Sequence, residues 1–259
     1  MLEYRALFAV SEAAVAIEKF DVALVSKEKI TPGVLHMTFK RCDGTALDFV
    51  PGQFITFLLD GPEGQVKRRS YSVATIPGQT DLIEIAISEV KGGIATETLF
   101  NLEANKPLHV MGPAGRLILQ ADDTDKRLIL VGTGTGIAPY RAMLPELSKR
   151  CAAGEKVVII QGVQYRHDIL YGQDFVAFDQ QHDNARYIAS LSREDLSQAQ
   201  SPEAKGYVQK QFAQLDLNSE QDIVYLCGNP NMIDEAYAML TEQGFTNKNV
   251  RREKYISSN

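Results

Sequence analysis

The stretch Leu128-Ile129-Leu130-Val131-Gly132-Thr133-Gly134-Thr135-Gly136-Ile137-Ala138-Pro139, near the middle of the chain, constrains the fold most tightly. Four branched aliphatics in a row make a buried strand, and a turn of three glycines and two threonines leads straight into a helical pattern. Such a turn suits phosphate. Glycine lets backbone N–H groups approach a pyrophosphate, and the next helix adds its unpaired donors and the positive end of its dipole. Ile137 stands where the dinucleotide fingerprint G-x-G-x-x-G needs its third glycine, so the turn alone fits a plain strand-to-helix connection equally well.

The grammar on either side differs. Upstream, from Phe20 to about Gln120, short strand signals follow one another: Val22 to Val25, Val34 to Phe39, Phe54 to Leu59, Tyr71 to Ala74, Leu82 to Val90 and Leu108 to Met111. Pro32-Gly33, Pro51-Gly52, Gly61-Pro62, Pro77-Gly78 and Gly112-Pro113 punctuate them, which predicts a small antiparallel β-barrel with one helix at Ile94 to Leu102. Downstream, strands at Leu128 to Val131, Val157 to Gln161, Tyr187 to Leu191 and Ile223 to Cys227 alternate with helices. These lie near Pro139 to Arg150, Leu170 to Gln180, Tyr207 to Leu215 and Asn231 to Gln243, the pattern of a doubly wound parallel α/β sheet. Asn229, Pro230 and Gly244 cap, open and end the last helix. The division expected is an N-terminal extension over 1–19, a barrel over 20–120, an acidic linker over 121–126 and an α/β domain with a tail over 127–259.

A net charge of -6 argues against nucleic acid as the main partner. Cys42, Cys151 and Cys227 are odd in number and far apart, which suits a reducing compartment and gives no set of four thiolates for an iron–sulfur cluster. The four histidines lack ligand spacing, so no metal site is expected. Leu7 to Ile17 reads as a short amphipathic helix, and no apolar run reaches the ~18 residues of a membrane span. A cytoplasmic, non-membrane protein is expected.

Two further segments carry chemistry. Lys67-Arg68-Arg69-Ser70-Tyr71-Ser72 reads as a basic turn entering a strand, either an exposed cationic turn with one buried Tyr, or a phosphate clamp with an aromatic and a hydroxyl beside it. Glu89-Val90-Lys91-Gly92-Gly93-Ile94-Ala95-Thr96 reads as a plain glycine turn or as a second helix-terminus anion site with Thr96 as an extra donor.

Taken in order, Arg69-x-Tyr71-Ser72, Gly92-Gly93-x-x-Thr96, Gly112-Pro113-x-Gly115, Gly132 to Pro139 and Cys227-Gly228-Asn229-Pro230-x-Met232 resemble the ferredoxin-NADP reductase superfamily, from about Phe20 to Tyr255. The resemblance implies a flavin barrel followed by a pyridine-nucleotide domain. It assigns Arg69, Gly92, Gly93 and Thr96 to the FAD pyrophosphate, Tyr71 to one face of the isoalloxazine and Ser72 to the neighbourhood of flavin N5. Gly132, Thr133, Gly134, Thr135, Gly136 and Gly228 fall to the NAD(P) site, and Cys227 near nicotinamide C4.

An NAD-selective site would place an acid at the end of the second α/β strand, yet the chain there reads Ile160-Gln161-Gly162-Val163-Gln164-Tyr165-Arg166. Ser192, Arg193, Lys205 and Tyr207 resemble the residues that surround the 2′-phosphate and adenine in the plant-type branch, so NADP is expected; the alternative is a solvated loop. Glu253-x-Tyr255 resembles the end of plant-type reductases, with Glu253 placing the nicotinamide and Tyr255 covering the flavin. Four residues follow, so Tyr255 reads as a displaceable lid, as sharing that role with Ile256, or as part of a frayed tail.

The activity implied is an FAD-dependent reductase, with Ser72, Cys227, Glu253 and Tyr255 at the transfer site. It would pass hydride between NADPH and flavin and single electrons between flavin and ferredoxin or flavodoxin. An acidic carrier would dock on Lys67, Arg68 and Arg252, and the chain is expected to be a monomer. The alternatives are an NAD(P)H-dependent reductase component of an oxygenase, a free-flavin reductase, or a non-catalytic nucleotide-binding subunit. A scaffold has no need of the clamp and hydroxyls at Arg69, Ser72, Cys227 and Glu253.

Overall fold

The computed structural model describes residues 17–61, 64–197 and 201–255. All but the last residue of the helix expected over Leu7 to Ile17, and Ile256 of the tail, lie outside them.

The first half is antiparallel. Strands β1 (Glu18–Thr31), β2 (Val34–Arg41), β3 (Phe54–Asp60), β4 (Val66–Ser72), β5 (Ile83–Ser88) and β6 (Pro107–Ala114) form one sheet in the order β4-β3-β6-β1-β2-β5, with α1 (Ile94–Phe100) between β5 and β6. A bridge between Val73 and Ile85 links the two end strands, so the sheet closes into a barrel. Met37, Phe39, Ile55, Phe57, Ile85 and Val110 fill it. Along β5, Ile83, Ile85 and Ile87 point inward as their alternation requires, but Ala86 is buried as well, because it packs on Ala138 of the second half.

The second half is a parallel sheet of β7 (Arg127–Thr133), β8 (Val157–Val163), β9 (Ala185–Leu191), β10 (Glu203–Lys205), β11 (Asp222–Gly228) and β12 (Val250–Lys254), ordered β10-β9-β8-β7-β11-β12. Helices α2 (Ala138–Ala152), α3 (Gly172–Gln181), α4 (Val208–Phe212) and α5 (Pro230–Glu242) cover it. Leu128 and Leu130 face the cluster under α2 and α3, whereas Ile129 and Val131 face the cluster under α4 and α5. Helices on both faces explain why the strand is apolar throughout. The chain runs outward from β7 to β10 and returns beside β7 as β11, so the order reverses between β7 and β11. At such a switch point the carboxyl ends of the strands leave a crevice.

Strands β4, β10 and β12 and helix α4 differ from the sequence reading. Strand β4 spans Val66–Ser72, so Lys67, Arg68 and Arg69 lie in a strand paired with Leu59, Leu58 and Phe57 and not in a turn. Its position at an end of the sheet tolerates a charged strand. Strands β10 and β12 stand where a loop and a tail are expected; β12 pairs in parallel with β11 and seats Glu253 opposite Cys227. Helix α4 stops at Phe212, short of Leu215. Within the acidic segment between β6 and β7, Asp123 is buried, where its carboxylate accepts from Arg251 Nη2 at 2.7 Å and from the Tyr225 hydroxyl at 2.8 Å.

Candidate active site

One large cleft of about 1460 Å³ lies between the barrel and the carboxyl edge of the parallel sheet. Arg69, Tyr71, Ser72, Gly93 and Thr96 line its barrel side; Thr133, Gly134, Thr135, Ser192, Arg193, Tyr207 and Gly228 line its sheet side; Glu253 and Tyr255 border it from the C-terminal strand.

On β4 the side chains alternate. Lys67, Arg69 and Tyr71 share one face, and Arg68, Ser70 and Ser72 the other. The Tyr71 ring lies edge-on to Phe57, with centroids 5.9 Å apart, and burial pushes its phenol up to about 12. A half-buried ring held this way is a fixed platform at the cleft wall.

The structure draws Ser72, Cys227, Glu253 and Tyr255 together. Ser72 Oγ lies 2.6 Å from the Tyr255 hydroxyl and donates to Glu253 Oε1 at 3.4 Å. The Tyr255 hydroxyl also meets the fully buried Cys227 side chain. The backbone explains this convergence, since Tyr255 N donates to Gly228 O at 2.8 Å and Cys227 faces Glu253 across the β11–β12 ladder. Burial raises Glu253 to about 7, with the Ser72 hydrogen bond opposing it. Burial, reinforced by the Glu253 charge, holds the Cys227 thiol far above its ordinary value, so it is protonated. Cys227 itself does not line the cleft; it sits behind Tyr255 and Glu253.

The glycine turn continues from β7 as a 3₁₀ turn, Gly134–Ile137, that runs into α2. Gly132 and Gly136 do not face the cleft. A Cβ on Gly136 would stand 2.4 Å from the Cys227 carbonyl oxygen, and one on Gly132 would stand 2.8 Å from the Gly136 carbonyl oxygen. These two glycines let the turn press onto the end of β11; Gly134, at φ +53 with open space around it, is the one that faces the cleft. Gly228, at φ +117, brings β11 against Thr133, whose Oγ1 accepts from Asn229 N at 3.0 Å. The Asn229 side chain caps α5 by accepting from Asn231 N at 2.9 Å and Met232 N at 3.3 Å.

In the segment before α1, Gly93 and Thr96 line the cleft. Gly93 N donates to Val90 O at 2.9 Å, and Thr96 Oγ1 accepts from Val90 N at 2.8 Å, so both groups brace the turn. Gly92 lies outside the cleft lining at φ +70. Thr96 Oγ1 only accepts in that bond and keeps its own proton to donate, beside the first-turn backbone N–H groups of α1.

At the far corner, Ser192 Oγ donates to Val163 O at 3.2 Å, and Arg193 is tied through its backbone to Gln164 O at 2.9 Å. The exposed Arg193 guanidinium has no ion-pair partner among the described residues, whereas neighbouring Arg166 is held by Glu203 and Glu194. Tyr207 is 66% exposed beside it. Lys205, on strand β10, lies outside the cleft lining. Sequence reasoning missed Gln209 and Glu235, which line this side: Gln209 Nε2 donates to Glu235 Oε2 at 2.9 Å, and its buried Oε1 has no partner among the described residues. Neither belongs to an apolar repeat or a glycine motif, so pattern reading had no handle on them.

Arg252 lies on the face of β12 opposite Glu253, over the Tyr237 ring at 3.6 Å, and donates to Asn247 Oδ1 at 2.9 Å. It is therefore turned away from Ser72, unlike the exposed Arg68 at the cleft wall. Among the described residues, no helix is long and apolar enough to cross a membrane.

An oxidoreductase FAD-binding domain family matches residues 21–118, and an oxidoreductase NAD-binding domain family matches residues 130–237. Ferredoxin–NADP reductase B of Sorangium cellulosum (strain So ce56) is 31% identical over 245 residues, covering 92% of this chain and 98% of that protein. The toluate 1,2-dioxygenase electron transfer component of Pseudomonas putida is 26% identical over 241 residues, covering 92% of this chain and 68% of that protein. Among solved structures, the Amycolatopsis cytochrome P450 reductase GcoB superposes with a TM-score of 0.82 at 22% identity, over 94% of this chain and 71% of that one. A ferredoxin NADP+ reductase from Neisseria gonorrhoeae with bound FAD and NADP gives 0.76 at 18% identity, over 91% of this chain and 98% of that one. These two likenesses concern the fold.

Proposed function

The chain belongs to the ferredoxin-NADP reductase superfamily, and from that premise we propose that it is an FAD-dependent reductase that takes hydride from NADPH and serves a one-electron carrier such as ferredoxin or flavodoxin. The observation that carries this reading is the meeting of Ser72, Glu253 and Tyr255 at the cleft between the Arg69–Tyr71 face of the barrel and the glycine turn of the sheet. The residues fit a flavin: an aromatic platform, a cation on the same strand face and a hydroxyl beside them line one wall. Bound FAD supplies hydride acceptance and one-electron release.

The protein's part is to bind, orient and handle protons. Arg69 clamps the flavin pyrophosphate with a charge-assisted fork, and the first turn of α1 adds backbone donors. Tyr71 would support one face of the ring system, and Ser72 would present its hydroxyl to the reacting edge. Thr133, Gly134 and Thr135 hold the nicotinamide dinucleotide pyrophosphate, with Arg193, Ser192 and Tyr207 at its 2′-phosphate and adenine end. Glu253, neutral below about pH 7, accepts a hydrogen bond from Ser72 and so orients that hydroxyl, while the protonated Cys227 keeps a thiolate charge away from the nicotinamide pocket. Tyr255 occupies the approach to Ser72 and has to move aside for the nicotinamide. An acidic carrier docks near Lys67 and Arg68.

Likeness to the toluate dioxygenase component favours a second reading, an NAD(P)H-dependent reductase component of an oxygenase. Anaerobic reduction of the purified flavoprotein by NADPH and by NADH, followed by transfer to ferredoxin, flavodoxin and oxygenase acceptors, separates the two. Strong preference for NADPH with ferredoxin or flavodoxin reduction supports the first; NADH preference with oxygenase-limited turnover supports the second.

A further inference from the structure

The barrel and the parallel sheet meet on apolar surface: Ala74 and Ala86 lie against Ala138 of α2 with Val34 and Tyr171 alongside, and Ile76 and Leu117 join the larger cluster under α2 and α3. A cluster of polar groups lies next to the alanines.

Arg141, one turn into α2, donates from Nη1 to the Ala74 carbonyl at 2.8 Å and to Glu84 Oε2 at 2.5 Å, both on the barrel. Its Nε donates to Asp174 Oδ2 of α3 at 2.6 Å, and its guanidinium lies 4.7 Å from the centre of the Tyr171 ring. The Tyr171 hydroxyl in turn meets His36 Nδ1 of β2 at 2.9 Å, so a second residue of this cluster bonds across the same boundary. Among the described residues, Arg141–Glu84 is the only ion pair joining the barrel to the parallel sheet and its helices. Both side chains are largely shielded, at 13% and 18% exposure, which keeps water from weakening the pair.

The two ends of this tie matter. On the barrel, Ala74 stands two residues after Ser72, and its N–H donates to the Glu84 carbonyl at 2.7 Å, so both of Arg141's barrel partners are bonded to each other beside the Ser72 strand. On the sheet, α2 is the helix into which the Gly134–Ile137 turn runs without a break. We propose that Arg141 is an interdomain positioning residue that fixes the glycine turn relative to Ser72, and thereby the reach of a nicotinamide to a flavin. The consequence for hydride transfer rests on the reductase reading; the mechanical tie does not. A lysine offers one ammonium where the fork serves three acceptors in two directions, so it substitutes incompletely.

The test labels the holoenzyme with spin probes at the exposed native Cys42 and at an introduced Glu242→Cys on the opposite unit, the other two cysteines being buried. The unaltered protein should give one narrow distance distribution. Arg141→Ala should broaden it, Glu84→Gln should broaden it without stranding a buried charge, and Arg141→Lys should fall between. Flavin reduction at saturating NADPH should slow at least tenfold in Arg141→Ala, with NADP+ affinity within twofold of the parent. A distribution as narrow as the parent's in Arg141→Ala and Glu84→Gln, or a broadened one with an unchanged reduction rate, overturns the proposal. Broadening in a protein that no nicotinamide reduces supports the tie and overturns the reductase reading instead.

Discussion

Ser72 Oγ and the Tyr255 hydroxyl stand 2.6 Å apart although 183 residues separate them, and this bond closes the C-terminal strand over the cleft. A neutral hydrogen bond of this kind is worth about 1 kcal/mol, or roughly a fivefold change in an equilibrium. Tyr255→Phe keeps the ring and loses the bond, so NADP+ should bind about fivefold more tightly in a titration followed by flavin absorbance. Removal of residues 255–259 should have a larger effect in the same direction.

Arg193 offers an exposed guanidinium with no ion-pair partner among the described residues, beside Ser192 and Tyr207. Charge-assisted bonds to a phosphate contribute about 1.5–3 kcal/mol, which corresponds to a factor on the order of 10 to 100. Arg193→Ala should raise KM for NADPH by that factor and leave KM for NADH nearly unchanged. Lys205→Ala should do much less, because Lys205 lies outside the cleft lining.

Glu253 keeps its proton to about pH 7 in the folded protein, against 4.5 ordinarily. The folded state therefore binds more protons than the unfolded chain between those two values. Its stabilising effect is complete below about pH 4.5 and is lost as pH rises through 7, by up to about 3 kcal/mol. Thermal unfolding of Glu253→Gln between pH 4.5 and 8 should show a flatter pH dependence than the parent. The pH profile of kcat should lose its step near 7.

Gly136 has the Cys227 carbonyl oxygen 2.4 Å from where a Cβ would sit, while Gly33 has nothing within 4 Å. Gly136→Ala should lower stability by about 1–3 kcal/mol and weaken nucleotide binding, since the turn has to lift from β11. Gly33→Ala should fall within about 0.5 kcal/mol of the parent in a denaturant melt.

Both halves of the fold were legible because periodicity reports burial: the alternating isoleucines of β5 and the continuous apolar run of β7 each match their surroundings. The segment Val250–Lys254 was not legible as a strand, since four of its five residues are polar and its partner β11 is distant in sequence. Ser72 and Glu253 were placed by motif, yet their contact depends on that unread strand. Gly93 and Thr96 line the cleft, but spacing does not reveal that both also bond the Val90 backbone. Arg141 gave no signal, because a cation in an amphipathic helix reads as solvent-facing until the partner surface with Ala74 and Glu84 is known.

Anaerobic stopped-flow mixing of the purified holoprotein with NADPH tests hydride transfer to a bound flavin most directly. The expected result is a protein that carries FAD, whose flavin absorbance bleaches with one equivalent of NADPH and recovers on adding oxidised ferredoxin or flavodoxin. A protein that retains no flavin, or whose bound flavin neither NADPH nor NADH reduces, would contradict it.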